Sequence, residues 1–366
     1  MDLSQVYIVL PSLDPDEKLN NTIDGLLSAG FTRIILVNDG SKEENLHHFH
    51  TAARHDGITL LHHPRNFGKG AALKTAFDYI VKNCPDCHGV VTVDGDGQHH
   101  PLDTLACAEE MLRTGHLTLG VRDFDAENIP ARSRFGNKLT SFIFKFFVGL
   151  KISDTQTGLR AIPADLLPAM LRIAGDRFEY ETNMLLSLKK DDIPFEQVAI
   201  RTVYIEENKS SHFRVVRDSW RIYKLILAHF FRYTMVSLLS SVVDEVLFIL
   251  LSTLLMTPLS GLALTASATI GARIASSMFN FFMNKKVVFQ SDVPTGKAIM
   301  RYYALAIPIA LAQMLLSQGL YLLFGITDAQ MILRATIYAM VMVLLYLVSF
   351  LVQQRWVFHK RKTSNP

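Results

Sequence analysis

Hydrophobic positions in the 366-residue chain change rhythm once, near Arg232. Up to about Glu207, short apolar runs alternate with charged segments of helix length. VYIVL (6–10), RIILVN (33–38), GITLL (57–61), GVVTVD (89–94) and HLTLG (116–120) are β-rich runs that predict strands. Strands alternating with amphipathic helices predict an α/β domain, its mostly parallel sheet covered on both faces. Beyond Arg232 lie four apolar stretches, about 233–256, 262–283, 302–324 and 334–352. Each is near the ~20 residues that cross ~30 Å of hydrocarbon. The expected organisation is an α/β domain over 1–207, a juxtamembrane interfacial segment over 208–231, and an all-α four-helix membrane domain over 232–366.

The connectors give an orientation. Lys285, Lys286, Lys297 and Arg301 fall between the second and third stretches, and Arg355, Lys360, Arg361 and Lys362 follow the fourth. Arg214, Arg217, Arg221 and Lys224 precede the first, whereas the connectors at 257–261 and 324–330 carry no Lys or Arg. Positive connectors stay inside, so the α/β domain, the middle connector and the tail are expected in the cytosol of a cell-membrane protein. NKKVVFQ (284–290) and QQRWVFHK (353–360) close the second and fourth stretches alike. They suggest either a repeated helical hairpin or ordinary interfacial anchoring.

Charge within the first hairpin predicts a contact. Asp244 is nine residues from Met235 and Arg273 is eleven from Leu262, so antiparallel helices place them about 14 and 17 Å deep at ~1.5 Å per residue. Arg273 is expected to face Asp244 or Glu245, because intramembrane charges are costly unless paired.

Composition removes several classes. Lys plus Arg number 37 against 34 Asp plus Glu, a net +3 that offers no nucleic-acid footprint. Three cysteines cannot build a disulfide framework, and Cys84 and Cys87 form one CxxC without a second. No basic n-region opens the chain, so a cleaved secretory signal is not expected.

Open parallel sheets bind ligands outside the carboxyl ends of their strands. There stand PSLDPDE, NDGS, HHPRNFGKG and DGDGQHHP, none a dinucleotide fingerprint or a P-loop. Asp94 and Asp96 at i and i+2 past a strand end suit Mg²⁺ or Mn²⁺ bridging phosphates. Asp39 is placed to accept hydrogen bonds from a nucleoside or to form a turn before Gly40. RNFGKG (65–70) suits an anion-holding loop or a plain helix start. The His47, His48, His50 and His62, His63 groups read as surface.

The ordered set VNDGS, RNFGKG, VDGDGQHHP, VRDF, DTQTGLR and RFEYE resembles family 2 glycosyltransferases of GT-A fold over about 6–215, closest to the dolichyl- and polyprenyl-phosphate sugar synthases. FNFFMNKKVVF and QQRWVF resemble a GtrA-like four-helix membrane domain. The resemblance implies that a sugar passes from a nucleotide-sugar, UDP-linked by family habit, to polyprenyl phosphate at the bilayer. The lipid-linked sugar would then serve cell-surface glycan modification.

Residue by residue, it places Pro11, Asp39, Gly40, Ser41, Asp94 and Glu181 at the nucleotide-sugar, with Asp94, Asp96 and Gln98 at the metal. Asp154, Thr157, Gly158 and Arg160 match D-x-x-[ST]-G-[FL]-R, and Asp154 falls at the reaction centre with Arg160 beside it. Arg122 and Arg134 would meet the acceptor phosphate. His212 replaces the family's usual lysine at the donor diphosphate, while Leu13 and Pro15 replace a Tyr and a Glu.

An amphipathic basic-aromatic helix over 133–150 reads either as an interfacial anchor or as a core helix. A processive polysaccharide synthase is the first competing reading, but it would need QxxRW in the catalytic half. A lipid-sugar translocator or scaffold with a non-catalytic GT-A module is the second, and the intact DGDGQ and DTQTGLR oppose it. A homo-oligomer is compatible with the sequence.

Overall fold

A computed structural model describes residues 2–124, 129, 131–201, 223–224, 227–327 and 329–359. Two compact units, Met1–Ile226 and Leu227–Pro366, divide the chain. His212 and most of the 208–231 segment lie outside the described residues.

The first unit is built on seven strands: β1 (Val6–Ser12), β2 (Arg33–Asn38), β3 (Ile58–His62), β4 (Gly89–Thr92), β5 (Leu117–Arg122), β6 (Arg160–Pro163) and β7 (Phe195–Ile200). Their order is β3-β2-β1-β4-β6-β5-β7, parallel throughout except for β6, which runs against β4 and β5. All five strands expected from the sequence form, with ends shifted by one or two residues. Chain direction around β1 sends β2 to one side and β4 to the other, opening a crevice between their carboxyl ends.

Alternate residues of the strands feed two apolar layers. Val9, Val37 and Val90 pack with Leu73 and Phe77 on one face, while Ile8, Leu10, Leu36 and Val91 pack with Phe49 and Met111 on the other. Burial on both faces explains why these runs read as continuous rather than alternating. Pro11 survives in a central strand because it lies past the last β1–β4 rung. Val9 and Thr92 are the final pair there, and the Val93 N–H then donates to Val9 O. No ladder bond is lost to the missing N–H.

Seven described helices cover this sheet: α1 (Lys18–Ser28), α2 (Leu46–Ala52), α3 (Lys69–Asn83), α4 (Pro101–Thr114), α5 (Ala131–Ile143), α6 (Leu167–Leu171) and α7 (Glu179–Lys190). Capping fixes α4 well. His100 Nδ1 accepts from Leu102 N, Pro101 occupies the first turn, and Gly115 ends the helix at φ 70°. Helix α5 runs into a π-helical turn, Phe144–Val148, and divides its side chains sharply. Phe144 enters the core, while Phe135, Leu139 and Phe142 form an exposed stripe at helical spacing.

The second unit contains four long helices, Ala228–Leu255, Gly261–Met283, Thr295–Leu323 and Met331–Val352. All four are long and apolar enough to cross a membrane. Their outward faces carry Leu238, Val242, Ile270, Leu311 and Val343, all exposed, and polar groups collect inside. Arg273 pairs with Asp244, Nη2 to Oδ2 at 3.1 Å, as the depth arithmetic requires.

Contacts between the hairpins repeat with one offset. Tyr302 lies 69 residues after Tyr233 (302 − 233), and the same offset separates Asn280 from Ser349 and Phe281 from Phe350. Tyr233 donates to Ser349 Oγ at 3.2 Å, and Tyr302 donates to Asn280 Oδ1 at 3.0 Å. Ring contacts match too: Tyr233 with Phe350 at 5.2 Å, Tyr302 with Phe281 at 5.4 Å. Both hairpins end in π-helical turns, Asn284–Val288 and Gln353–Val357, after which Phe289 stacks on Phe358 at 5.1 Å. Such reciprocal contacts are those of a local two-fold relating duplicated hairpins. The likeness of NKKVVFQ to QQRWVFHK is therefore a structural repeat.

Candidate active site at the strand ends

The end of β4 and the starts of α3 and α7 converge on a charged cluster. Asp94 follows β4, and its Oδ1 lies 2.7 Å from Lys69 Nζ at the start of α3. Lys69 also reaches Glu181 Oε1 at 2.9 Å, in the first turn of α7. His99 Nε2 stands 3.5 Å from Asp94 Oδ2. A Cβ on Gly158 would strike Asp94 Oδ2 and come within 3.0 Å of Lys69 Nζ, so only glycine lets the 154–158 loop close on the pair.

Electrostatics separates the two aspartates. Burial opposes ionisation of Asp94, but Lys69 and His99 outweigh it and hold the carboxyl well below the usual range. Asp96 moves the other way, raised by burial and then by the charge of Asp94. The Lys69 ammonium, although buried, is held protonated by Asp94 and Glu181. A fixed anion beside a strained one is an arrangement that a cation would relieve.

The donor set fits a hard divalent cation. Asp96 Oδ1 accepts from Gln98 N at 3.1 Å, and the loop presents oxygen ligands. Among the described residues no three His, Cys, Asp or Glu side chains form a ready cage. This suits an ion that takes one or two carboxylates and completes its shell with phosphates and water. Buried His99 Nδ1 has no protein partner, leaving a polar atom for a ligand at the same place. Lys69 claims one Asp94 oxygen, so Asp96 is the better-placed metal ligand of the two.

Asp154 is fully buried and held by Arg122: Nε donates to Oδ2 at 2.7 Å and Nη2 to Oδ1 at 3.3 Å. Arg122 also lies over the Phe124 ring. The loop is fastened to α5, where Asn137 donates to Ser153 O at 2.7 Å and accepts from Thr155 N. Arg134 is half-buried one turn before Asn137, on the same face of α5.

Other sequence candidates have different surroundings. Arg160 is 1% exposed, donating to Thr157 O and Glu181 O. It supports Thr157 and Glu181 from beneath, and its Nη2 is buried without a protein partner. Asp39 is 4% exposed and accepts from Phe67 N at 3.0 Å and Gly68 N at 2.8 Å, with His63 Nδ1 at 2.7 Å. It thus clamps the RNFGKG loop, leaving about one of a carboxylate's four lone-pair sites for a nucleoside. Gly40, at φ 75°, lets the Arg65 backbone pass where a Cβ would stand. Ser41 Oγ accepts from Asp14 N, tying the β1 and β2 loops together.

Lys69, His99 and His63 went unassigned from sequence. His63 is no surface residue: it bridges Asp39 and Thr75. The signal for Lys69 was the GKG at a helix start, legible as an anion site but not as the partner of two acids.

Known proteins resemble both units of the chain. Residues 7–169 match the family described as Glycosyl transferase family 2, and residues 232–358 match the GtrA/DPMS transmembrane domain. An uncharacterized protein of Methanocaldococcus jannaschii is 28% identical over 232 residues, covering 62% of this chain and 93% of that one. A UDP-N-acetylglucosamine–dolichyl-phosphate N-acetylglucosaminyltransferase of Methanococcus voltae is 24% identical, over 61% of this chain and 95% of its own. Glucosyl-3-phosphoglycerate synthase of Mycobacterium tuberculosis, solved with phosphoglyceric acid, superposes with a TM-score of 0.46 at 16% identity, covering 62% and 79% of the two chains. The chain joins a Glycosyl transferase family 2 domain, matched over residues 7–169, to a GtrA/DPMS transmembrane domain, matched over residues 232–358.

Proposed function

We propose that the protein transfers a sugar from a nucleotide-sugar, most simply a UDP-sugar, to polyprenyl phosphate at the cytosolic face of the cell membrane. The observation that carries this reading is Asp94 with the 154–158 loop closed on it at Gly158, the same loop in which Asp154 is held by Arg122, in a chain that also holds four spans. The dolichyl-phosphate acceptor named for the Methanococcus voltae relative supports the lipid phosphate. The exposed Phe135, Leu139 and Phe142 stripe supports an interfacial approach to lipid. The basic connectors support the cytosolic placement.

In this reading one phosphate oxygen of the lipid attacks the anomeric carbon, the bond to the nucleoside diphosphate breaks, and configuration inverts. A phosphate monoester, with its second pKa near ~6, is already largely anionic at neutral pH. Asp154, locked against Arg122, orients charge rather than collecting a proton. Arg122 and Arg134 position the acceptor phosphate, Arg134 from the α5 face next to the loop. Asp96, with Asp94 and Gln98 nearby, would hold Mg²⁺ or Mn²⁺, which when bound neutralises the leaving diphosphate. Pro11, Asp39, Gly40, Ser41, Glu181 and, beyond the described residues, His212 would shape the donor site.

The test is incubation of membranes containing the full chain with labelled nucleotide-sugars and polyprenyl phosphate, followed by separation of lipid products. A labelled lipid that appears only with the acceptor, and disappears in excess EDTA, is expected. Transfer undiminished in EDTA would overturn the metal role, and label in polymer rather than lipid would favour a processive synthase.

A further inference from the structure

Asp39 and His63 each stand one residue past a strand, β2 and β3, and their side chains meet, Nδ1 to Oδ1 at 2.7 Å. The His63 backbone N–H donates to Asn38 O at 2.8 Å, which holds the histidine beside the end of β2. Its other ring nitrogen, Nε2, lies 2.9 Å from Thr75 Oγ1 on α3. A carboxylate only accepts, so Nδ1 carries the proton and donates to Asp39. Nε2 then accepts from the Thr75 hydroxyl, and the relay fixes the tautomer from both ends. Both ring nitrogens are spent, and the side chain is 9% exposed. Whatever His63 does for a ligand, it does through Asp39.

The bonds on Asp39 can be counted by oxygen. Oδ1 takes His63 Nδ1 and Phe67 N, which fills its two lone pairs. Oδ2 takes Gly68 N and keeps one. Asp39 N donates to Ser12 O at 2.9 Å, so the residue is anchored from the β1 side as well. A nucleobase meeting this carboxylate finds one acceptor beside a filled oxygen. Uracil presents one ring N–H on its pairing edge, between two carbonyls. Guanine presents two donors side by side, N1–H and the 2-amino group, and asks for both oxygens at once. One of them would stay unpaired in a closed site, which costs its desolvation. Cytosine and adenine bring an unprotonated ring nitrogen toward the carboxylate, lone pair against lone pair.

We propose that His63 is a positioning residue that sets base specificity in the donor site. By filling Oδ1 it leaves Asp39 a single acceptor, a match for uracil and a mismatch for guanine. This rests on the reading of the strand-end crevice as a nucleotide-sugar site. Thr75 keeps the ring proton on the side where Asp39 needs it. The Phe67 ring stands edge-on to His63 at 5.2 Å, so the same histidine seats the loop that supplies the second Oδ1 donor.

The purified full-length chain in detergent is titrated with UDP and with GDP in the presence of Mn²⁺, and binding is read by calorimetry. The parent should bind UDP more tightly than GDP by roughly 30-fold, the cost of one unpaired guanine donor. His63→Leu keeps bulk, removes the donor and frees a lone pair on Oδ1, so the UDP-over-GDP ratio should fall about ten-fold. His63→Asn should restore the ratio, because its amide nitrogen falls near the place of Nδ1. If His63→Leu does not elute as a folded species, His63→Gln decides. Its longer amide reaches toward Thr75 and not Asp39, so the ratio should fall likewise. The ratio is the readout because lost packing alone weakens both nucleotides equally. An unchanged ratio in folded His63→Leu or His63→Gln, an equal fall in His63→Asn, or a parent that prefers GDP would overturn the role of His63 and leave the donor-site reading standing. A parent that binds neither nucleotide would overturn both.

Discussion

Arg122 grips Asp154 with two nitrogens, at 2.7 and 3.3 Å, although the carboxylate is fully buried and the arginine is not. A guanidinium fork matched to a carboxylate is the geometry that lysine cannot reproduce. The two side chains should therefore work as one unit. Arg122→Lys and Asp154→Asn are each expected to lower kcat/KM for transfer on the order of 10²-fold, the loss typical of removing a preorganised charge. The double variant should lose little more than the worse single one. Losses that multiply would show two independent roles, and would return Arg122 to the acceptor phosphate alone.

Asp96 poses the opposite case, a group whose charge the fold disfavours. Burial and Asp94 raise its pKa, so the folded state binds its proton more tightly than the unfolded chain does. Stability on this account falls as pH rises through the raised range. Asp96→Asn should then melt slightly higher than the parent in EDTA at neutral pH, by about 1–3 °C, while transfer falls by two orders of magnitude or more. A variant that loses activity and also melts lower would mean that Asp96 is structural.

How much of this could be read in advance follows from what periodicity records. The β1 to β5 strands are short apolar runs, and they were legible because burial on both faces forces such runs. RAIP, four residues ending in Pro163, and FEQVAI, broken by Glu196 and Gln197, lack that signal and form strands only because β5 and β4 offer edges to them. The DxD and the D-x-x-T-G-L-R loop were legible as motifs. Their bridge was not, because the Lys69 contacts to Asp94 and Glu181 span 25 and 112 positions (94 − 69 and 181 − 69).

Lys69 offers a stability test of that bridge. With all three side chains mostly buried, Lys69→Met leaves two carboxylates without their cation and should cost about 3 kcal/mol at pH 7. Asp94 has its folded pKa below the unfolded value, so its share of the stabilisation is complete above about pH 4 and is lost as pH falls further. The gap between parent and variant in urea unfolding should be constant from pH 6 to 8 and shrink below about pH 4. A gap that persists unchanged in acid would assign the loss to packing of the lysine stem.

Arg273 and Asp244 meet in the first hairpin because helical rise is fixed, so antiparallel neighbours of known entry points must bring equal depths together. Ser276 shares the carboxylate at 2.6 Å, so removing the arginine leaves Asp244 with one hydroxyl against a full charge. Arg273→Met should destabilise the membrane unit by about 2 kcal/mol, the scale of an unpaired charge at mid-helix. Asp244→Asn in the same chain should restore more than half of that, since asparagine keeps an acceptor for Ser276 and carries no charge. Unfolding of the purified full-length protein in mixed detergent reads both. A double variant no more stable than the worse single one would show that the two charges are held separately, each by the polar groups inside the unit and not by the other.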